Sequence, residues 1–275
     1  MSIITLTSDY GILDYRVAAI KGSIYSQLIN AQIVDITHQI QTYNLQQTAY
    51  IVRSVYKYYP QGSIHIISVD SFHHKNRKNI IAKVDGHYFI CADNGLLSLL
   101  FFDINPEEIY EITLGNRFDD KVNFTSTDIF APVAVHLAKG GVPEVVGKKI
   151  TKIKENSFAR AIFNEAEGIM VGEVMYVDNF GNAISNISRK FFNNSLKSYH
   201  TFKLKFRNFQ ISKINNYYTD VVENWEDEPL YHGSISAIFN ENNLLEIAIY
   251  KGSYTNGASS LLGLTLGERI FVEFG

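Results

Sequence analysis

The spacing of apolar residues changes once along the chain. In the first half, short apolar runs alternate with stretches of helical period. Ile3 to Leu6 reads as a strand, and from Leu13 to Leu28 the residues Val17, Ile20, Ile24 and Leu28 recur on one helix face. Ile33 to Ile36 is a strand, and Leu45 to Tyr58 an amphipathic helix stopped by Pro60. Strands follow at Ser63 to Val69, Ile80 to Val84 and Tyr88 to Cys91, then a helix from Gly95 and a strand at Ile109 to Leu114. Asp128 to Ala138 reads as a helix ended by Gly140-Gly141. This order predicts an α/β domain whose mainly parallel sheet is flanked by helices on both faces.

From Gly168 onward, short strands separated by turn residues take over. They are Ile169 to Val177, Ala183 to Ile187, Thr201 to Phe206, Ser234 to Phe239, Leu244 to Tyr250 and Arg269 to Phe274. The expectation is a smaller all-β C-terminal domain, a barrel or a sandwich. The polar stretch Thr151 to Glu167 separates the two, giving domains at residues 1–155 and 168–275.

Composition narrows the class. With 46% hydrophobic and 19% charged residues in 275, the chain can bury a full core. A net charge of −3 with thinly spread Lys and Arg argues against nucleic-acid binding, which needs clustered cations. One cysteine, Cys91, forms no disulfide within the chain and fits a reducing compartment. The first residues read as a strand rather than a signal peptide, and no apolar run approaches the ~18 residues of a membrane span. The expectation is a cytoplasmic protein that meets neither membrane nor nucleic acid.

Three islands carry the candidate chemistry: Thr7-Ser8-Asp9-Tyr10-Gly11, Val69-Asp70, and Val177-Asp178-Asn179-Phe180-Gly181-Asn182. Each places a carboxylate or amide where a strand stops, the position at which α/β proteins collect ligands. Together they suit a polyhydroxylated, positively charged small molecule. Each also has a plainer reading, as a turn residue capping backbone amides.

With these islands in place, the chain resembles the S-adenosylmethionine hydrolases (adenosine-forming), which share a fold with fluorinase and chlorinase. Ser8-Asp9-Tyr10-Gly11 with Asp14, Lys21-Gly22, Ile33-Val34-Asp35-Ile36-Thr37-His38 and Asp93-Asn94-Gly95-Leu96-Leu97 carry the likeness in the first half. Asp128-Ile129-Phe130-Ala131-Pro132, Gly172-Glu173-Val174 and Leu245-Glu246-Ile247-Ala248 extend it over nearly the whole chain. The resemblance implies attack of water on the ribose 5′ carbon, releasing methionine and adenosine, with no metal or redox cofactor. It also implies a homotrimer whose site is shared between subunits.

Site roles follow from the same resemblance. Asp9 would accept the ribose diol in two charge-assisted hydrogen bonds. Asp178 would anchor the methionine ammonium, with Asp14 as a second contact at that end, and Asn182, in the turn with Phe180, would read the adenine edge. Tyr43 and Phe124 fall where aromatic walls face the ribose and the sulfonium. Around the attacking water the hydrolases carry an Asp–Arg–His triad. Asp70 matches the Asp and Arg77 has the Arg spacing, across a different turn, Ser71-Phe72-His73-His74-Lys75-Asn76. Thr125 stands where the His is expected and Ser126 where a Gly is expected. Water activation would then rest on Asp70 with hydroxyl help from Ser126 or Thr125, or on a His from elsewhere.

Ser126 also aligns with the serine that contacts halide in fluorinase. A carboxylate at Asp70 disfavours a halide beside it by several kcal/mol at low dielectric, and the halogenating relatives carry tyrosine there. Hydrolysis is the first reading; a non-catalytic S-adenosylmethionine or adenosine binder is the alternative, and a halogenase the weaker one. His38 with Asp35 suggests a metal pair but lacks further ligands at suitable spacing. Ser8 and Ser98 lack the Gly-x-Ser-x-Gly elbow of serine hydrolases. His73 and His74 read as solvated surface, and Trp225 as a packed residue of an acidic loop.

Overall fold

Strands buried on both faces show continuous apolar runs instead of alternation, and the first half of this chain is built that way. A computed structural model describes residues 2–114 and 122–275. It divides the chain into two units, Met1–Phe158 and Ala159–Gly275.

In the first unit the elements are β1 (Ile3–Ser8), α1 (Tyr15–Gln27), β2 (Gln32–Thr37), α2 (Leu45–Val55), β3 (Ile64–Ser68), β4 (Asn79–Val84) and β5 (His87–Ala92). They continue through α3 (Leu96–Leu100), β6 (Glu108–Ile112), α4 (Ala131–Ala138), α5 (Pro143–Val146) and β7 (Gly147–Lys149). The sheet runs β2-β1-β3-β5-β4-β6-β7. β1, β2, β3 and β5 are mutually parallel, and β4 and β7 run against their neighbours, so five of the seven strands point one way. The sheet is therefore mixed, with the parallel part at the β2 edge.

Alternation along the strands divides two cores. Ile4, Leu6, Ile64, Ile66, Ile81 and Ile90 join Ile20 and Ile24 of α1 and the apolar residues of α4 on one face. Ile67, Ile80, Ala82, Phe89 and Cys91 join Ala49 and Val52 of α2 and Leu96 to Leu100 on the other. Side chains one position apart point to opposite faces, which is how the chain fills both layers. β1 lies between β2 and β3, so the chain leaves it toward one side and returns across it. The C-terminal ends of β1 and β3 thus flank a topological switch point.

The second unit is all-β and barrel-like: β8 (Ile162–Asn164), β9 (Ile169–Val177), β10 (Ala183–Ser188), β11 (Phe202–Phe206), β12 (Phe209–Ile211), β13 (Ile235–Phe239), β14 (Leu244–Ile249) and β15 (Arg269–Phe274). The order is β12-β11-β15-β9-β10-β14-β13, with β8 also paired to β9, and every named pair is antiparallel. Two short helices, α6 (Arg189–Leu196) and α7 (Ala258–Leu261), interrupt it. Ser188 Oγ caps α6 by accepting from Phe191 N at 3.2 Å, and Phe192 packs against Phe202, Phe239 and Phe274.

One polar ladder crosses the first unit's core. His65 Nδ1 lies 2.8 Å from Thr5 Oγ1, and His65 Nε2 lies 3.2 Å from His87 Nδ1. His65 stacks on Phe89, and Tyr56 meets both rings edge-on. Burial, with His87 nearby, pushes the His65 imidazole down to about 3. The unfolded chain therefore takes up a proton near pH 6.5 that the folded chain refuses, and stability is lost as pH falls from 6.5 toward 3. Each such site contributes a slope of about 1.4 kcal/mol per pH unit. Urea unfolding between pH 7 and 4 should show His65→Phe less stable at neutral pH but with a flatter pH slope. An unchanged slope would mean that His65 titrates normally in the folded protein.

Candidate active site

The carboxylate of Asp9, in the loop leaving β1, ties together the ends of two neighbouring strands. Its Oδ2 accepts from Tyr43 N at 3.0 Å, after β2, and from Asp70 N at 3.4 Å, after β3. Both donors adopt left-handed backbone, with φ of 64° at Tyr43 and 45° at Asp70. Such a conformation costs a non-glycine residue roughly 1–2 kcal/mol, and these two amides reach the carboxylate in that conformation. Gly11 N donates to His38 O at 2.7 Å, fastening the rest of the Asp9 loop to the end of β2.

Across the polar turn that follows β3, Arg77 folds back onto Asp70. Nη1 lies 3.2 Å from Oδ1 and Nη2 3.2 Å from Oδ2, while Nη1 also donates to the carbonyls of Asp70 (2.7 Å) and Phe72 (3.2 Å). Asn94 Nδ2 bridges the carbonyls of Val69 and Asp70. The changed turn sequence thus keeps the Asp–Arg pair. His73 and His74 are exposed in that turn.

Before α4 the chain makes a π-helical turn, Ser126–Phe130, in which Ala131 N donates to Ser126 O. Asp128 Oδ2 supports it by accepting from Asn123 N (2.9 Å) and Phe124 N (3.0 Å). Thr125 and Ser126 are both buried. Thr125 Oγ1 has no hydrogen-bond partner among the described residues. Ser126 Oγ donates to Ser68 Oγ at 2.8 Å and lies 3.1 Å from Tyr10 OH, which lies 3.1 Å from Ser71 Oγ. Burial pushes the Tyr10 hydroxyl above its usual range, so it stays a neutral hydrogen-bonding group. Phe124 packs on the Tyr10 ring, centroids 5.6 Å apart.

The structure therefore gathers Asp9, Tyr43, Asp70 and Arg77 into one contact group and joins Ser126 and Phe124 to it through Tyr10. Tyr43 is exposed and meets Phe72 edge-on, ring centroids 6.3 Å apart. Asp14 is engaged as the N-cap of α1: Oδ1 accepts from Arg16 N (2.8 Å) and Oδ2 pairs with Arg16 Nη1 (2.6 Å). It also borders an open cleft of about 530 Å³ lined by Tyr10, Gly11, Ile12, Leu13 and Gln39. Tyr10, Ser68 and Ser71 were not expected as site residues. The only local signal was their place beside Asp9 and Asp70 at strand ends.

In the second unit Asp178, Phe180 and Asn182 share the β9–β10 turn. Asp178 Oδ1 accepts from Phe180 N and Asn182 N, both at 2.8 Å, and Oδ2 from Asn182 Nδ2 at 3.0 Å. Gly181 takes φ +74°, and Gly257 lies so close that a Cβ there would fall on Phe180 O. Asn182 is buried with Oδ1 unpartnered among the described residues, and Phe180 is exposed. Beneath the turn, burial raises the Glu246 carboxyl to about 7. Trp225 departs from its expected packing: it is 62% exposed, because its short 3₁₀ turn carries Glu226, Asp227 and Glu228, whose charges hold the segment in solvent.

Among the described residues no three His, Cys, Asp or Glu side chains converge as metal ligands, and no helix is long and apolar enough to cross a membrane.

Comparison with known proteins places this geometry. Residues 4–147 match the SAM hydroxide adenosyltransferase N-terminal domain, and residues 172–271 match the corresponding C-terminal domain. An (R)-S-adenosyl-L-methionine hydrolase of Methanocaldococcus jannaschii is 27% identical over 100% of this chain and 97% of its own. One of Thermus thermophilus is 28% identical over 66% of this chain and 73% of its own. A fluorinase of Nocardia brasiliensis is 25% identical over 68% and 71%. The crystal structure of an uncharacterized conserved protein from Thermotoga maritima superposes with a TM-score of 0.83 at 26% identity, covering 98% of this chain and 100% of that one. The chain belongs to the SAM hydroxide adenosyltransferase family.

Proposed function

We propose that this protein hydrolyses S-adenosyl-L-methionine to adenosine and L-methionine, by in-line attack of water on the ribose 5′ carbon. The observation that carries the reading is the Asp70–Arg77 fork held beside Asp9 at the switch point. The sulfonium is already a good leaving group, so the protein's task is to hold the substrate and align a nucleophile opposite the C–S bond. Asp9 takes the ribose diol. Asp70, oriented by the guanidinium, accepts a hydrogen bond from the attacking water and fixes its lone pair on the carbon. A halide has no proton to offer that carboxylate, which favours water. The Asp178–Asn182 turn is assigned the amino-acid and adenine ends. The reading invokes no metal or redox cofactor, and it includes a homotrimer, tested by light scattering.

Thr125, in place of the expected His, favours a second reading, a binder that does not turn its ligand over. Incubation with S-adenosylmethionine in ¹⁸O-water, with and without chloride, separates the readings by mass spectrometry. ¹⁸O-adenosine with methionine is the expected result; intact bound substrate supports the binder, and a chlorinated nucleoside overturns water as the nucleophile.

Two variants assign the roles. Asp70→Asn should lower kcat by about 10²-fold, the scale of a positioned acid–base group, with KM changed less than about threefold. Asp9→Ala should weaken S-adenosylmethionine binding about tenfold or more in calorimetry, the scale of a charge-assisted hydrogen-bond pair. Unchanged affinity would remove Asp9 from the ribose.

The close approach of Gly257 to the 178–182 turn gives a further test. In Gly257→Ala the new Cβ would also lie 2.7 Å from Gly181 Cα, displacing the turn. KM should rise severalfold while far-UV circular dichroism stays native. An unaltered KM would take this turn out of substrate binding.

A further inference from the structure

Hydrolysis by water leaves one proton to be removed from the attacking oxygen, and Asp70 is poorly placed to keep it. Both its carboxylate oxygens are already engaged by the Arg77 guanidinium. The position where the family carries a His is here the hydroxyl of Thr125. A base must come from another part of the fold.

One line of side chains leads from the Tyr10–Ser71 corner to such a base. Ser126 Oγ, 3.1 Å from Tyr10 OH, donates to Ser68 Oγ at 2.8 Å. Ser68 and Ser8 are register partners on β3 and β1, so their side chains leave the same face of the sheet on strands about 4.8 Å apart. Ser8 Oγ lies 2.8 Å from His38 Nδ1, and His38 Nε2 lies 3.2 Å from Asp35 Oδ1. Asp35 Oδ2 pairs with Lys21 Nζ at 2.6 Å. Ser8, Ser68 and Ser126 are at most 1% exposed and His38 7% exposed, whereas Asp35 and Lys21 reach solvent.

The donors along this line have one consistent direction. Ser126 donates to Ser68 and so leaves the Ser68 proton free. Ser68 and Ser8 are not hydrogen-bonded to each other in this structure, and a turn of either hydroxyl about χ1 toward its register partner closes the line. His38 Nε2 has no hydrogen-bond partner among the described residues, although Asp35 Oδ1 lies 3.2 Å away. With the proton on Nε2, drawn to that carboxylate, Nδ1 is the acceptor and Ser8 donates to it. We propose that His38 is the terminal proton acceptor of this hydroxyl line, replacing the base absent at position 125; the proposal rests on the hydrolase reading. As the water oxygen bonds to the 5′ carbon, the C–S pair leaves on sulfur as the neutral thioether. The proton lost by the water enters at Tyr10, and each hydroxyl passes one proton forward. His38 Nδ1 takes the last of these, becomes imidazolium against Asp35, and releases it to solvent. Tyr10 alone meets the water in this scheme; Ser126, Ser68, Ser8 and Asp35 act through their neighbours as positioning residues. Asp35 from β2 and, through it, Lys21 from α1 are the charged groups placed against His38; Asp9, next to Ser8, is engaged with the amides of Tyr43 and Asp70.

The test has one arm independent of turnover. In ¹⁵N-histidine protein at pH 8, long-range ¹⁵N correlation spectra should show neutral His38 with its proton on Nε2; a proton on Nδ1 overturns the proposal whatever the reaction. In assays with S-adenosylmethionine, His38→Gln should lower kcat about 10²-fold and abolish the acid limb of the kcat–pH profile, with KM within about twofold. Ser68→Ala should lower kcat about tenfold, and Ser68→Thr, which keeps the hydroxyl, should restore it; this pair is read independently of any folding defect in the His38 variant. Full kcat with an unchanged pH profile in both His38→Gln and Ser68→Ala overturns the line. Absence of turnover in the wild-type protein would sink the hydrolase reading and the proposal with it, whereas turnover with the His38 proton found on Nδ1 overturns the proposal alone.

Discussion

Two backbone amides converge on one carboxylate oxygen, and the site in the first unit is arranged around that point. Asp9 Oδ2 holds the chain as it leaves β2 and as it leaves β3. Both donors, Tyr43 and Asp70, sit in left-handed backbone, and a charged acceptor offsets part of that cost. The consequence is geometric. Asp70 emerges turned so that its carbonyl and carboxylate both face the Arg77 guanidinium. Without the clip, the loops after β2 and β3 would have no common anchor at the switch point.

Around this anchor the polar groups are buried and must satisfy one another. Ser68, Ser71 and Ser126 are almost inaccessible, and Tyr10 OH links two of them. The π turn matters here because its wider register, stabilised by Asp128, carries Ser126 toward Ser68 while α4 continues into the core below. Neutral hydroxyls satisfy one another here without adding a second buried charge.

The second unit handles charge differently. Asp178 is satisfied by its own turn, which makes that turn rigid. Glu246 lies beneath it, with Asn240 as its hydrogen-bond donor at 3.2 Å. Burial, aided by Asp178 and Glu241, keeps Glu246 partly protonated near neutral pH. Two carboxyl groups therefore coexist under one loop without two full buried charges.

Both folds and the anchoring acids were legible in the chain. Strands buried on two faces make unbroken apolar runs, so β1, β3, β4 and β5 declared themselves, and β9 and β15 ended where their alternation ended. Asp9, Asp70 and Asp178 were visible because each follows such a run directly. The three-residue strands β7, β8 and β12 are too short to show a period, and α6, rich in Phe and Asn, has weak helix propensity; only tertiary packing holds them. The fold-back of Arg77, the Tyr10 hydroxyl meeting Ser126 across 116 positions and the seating of His38 between Ser8 and Asp35 could not be read locally. Period and turn chemistry are written over a few neighbouring residues. Which hydroxyl meets which is set by strand order and register, quantities that exist only once the sheet has formed.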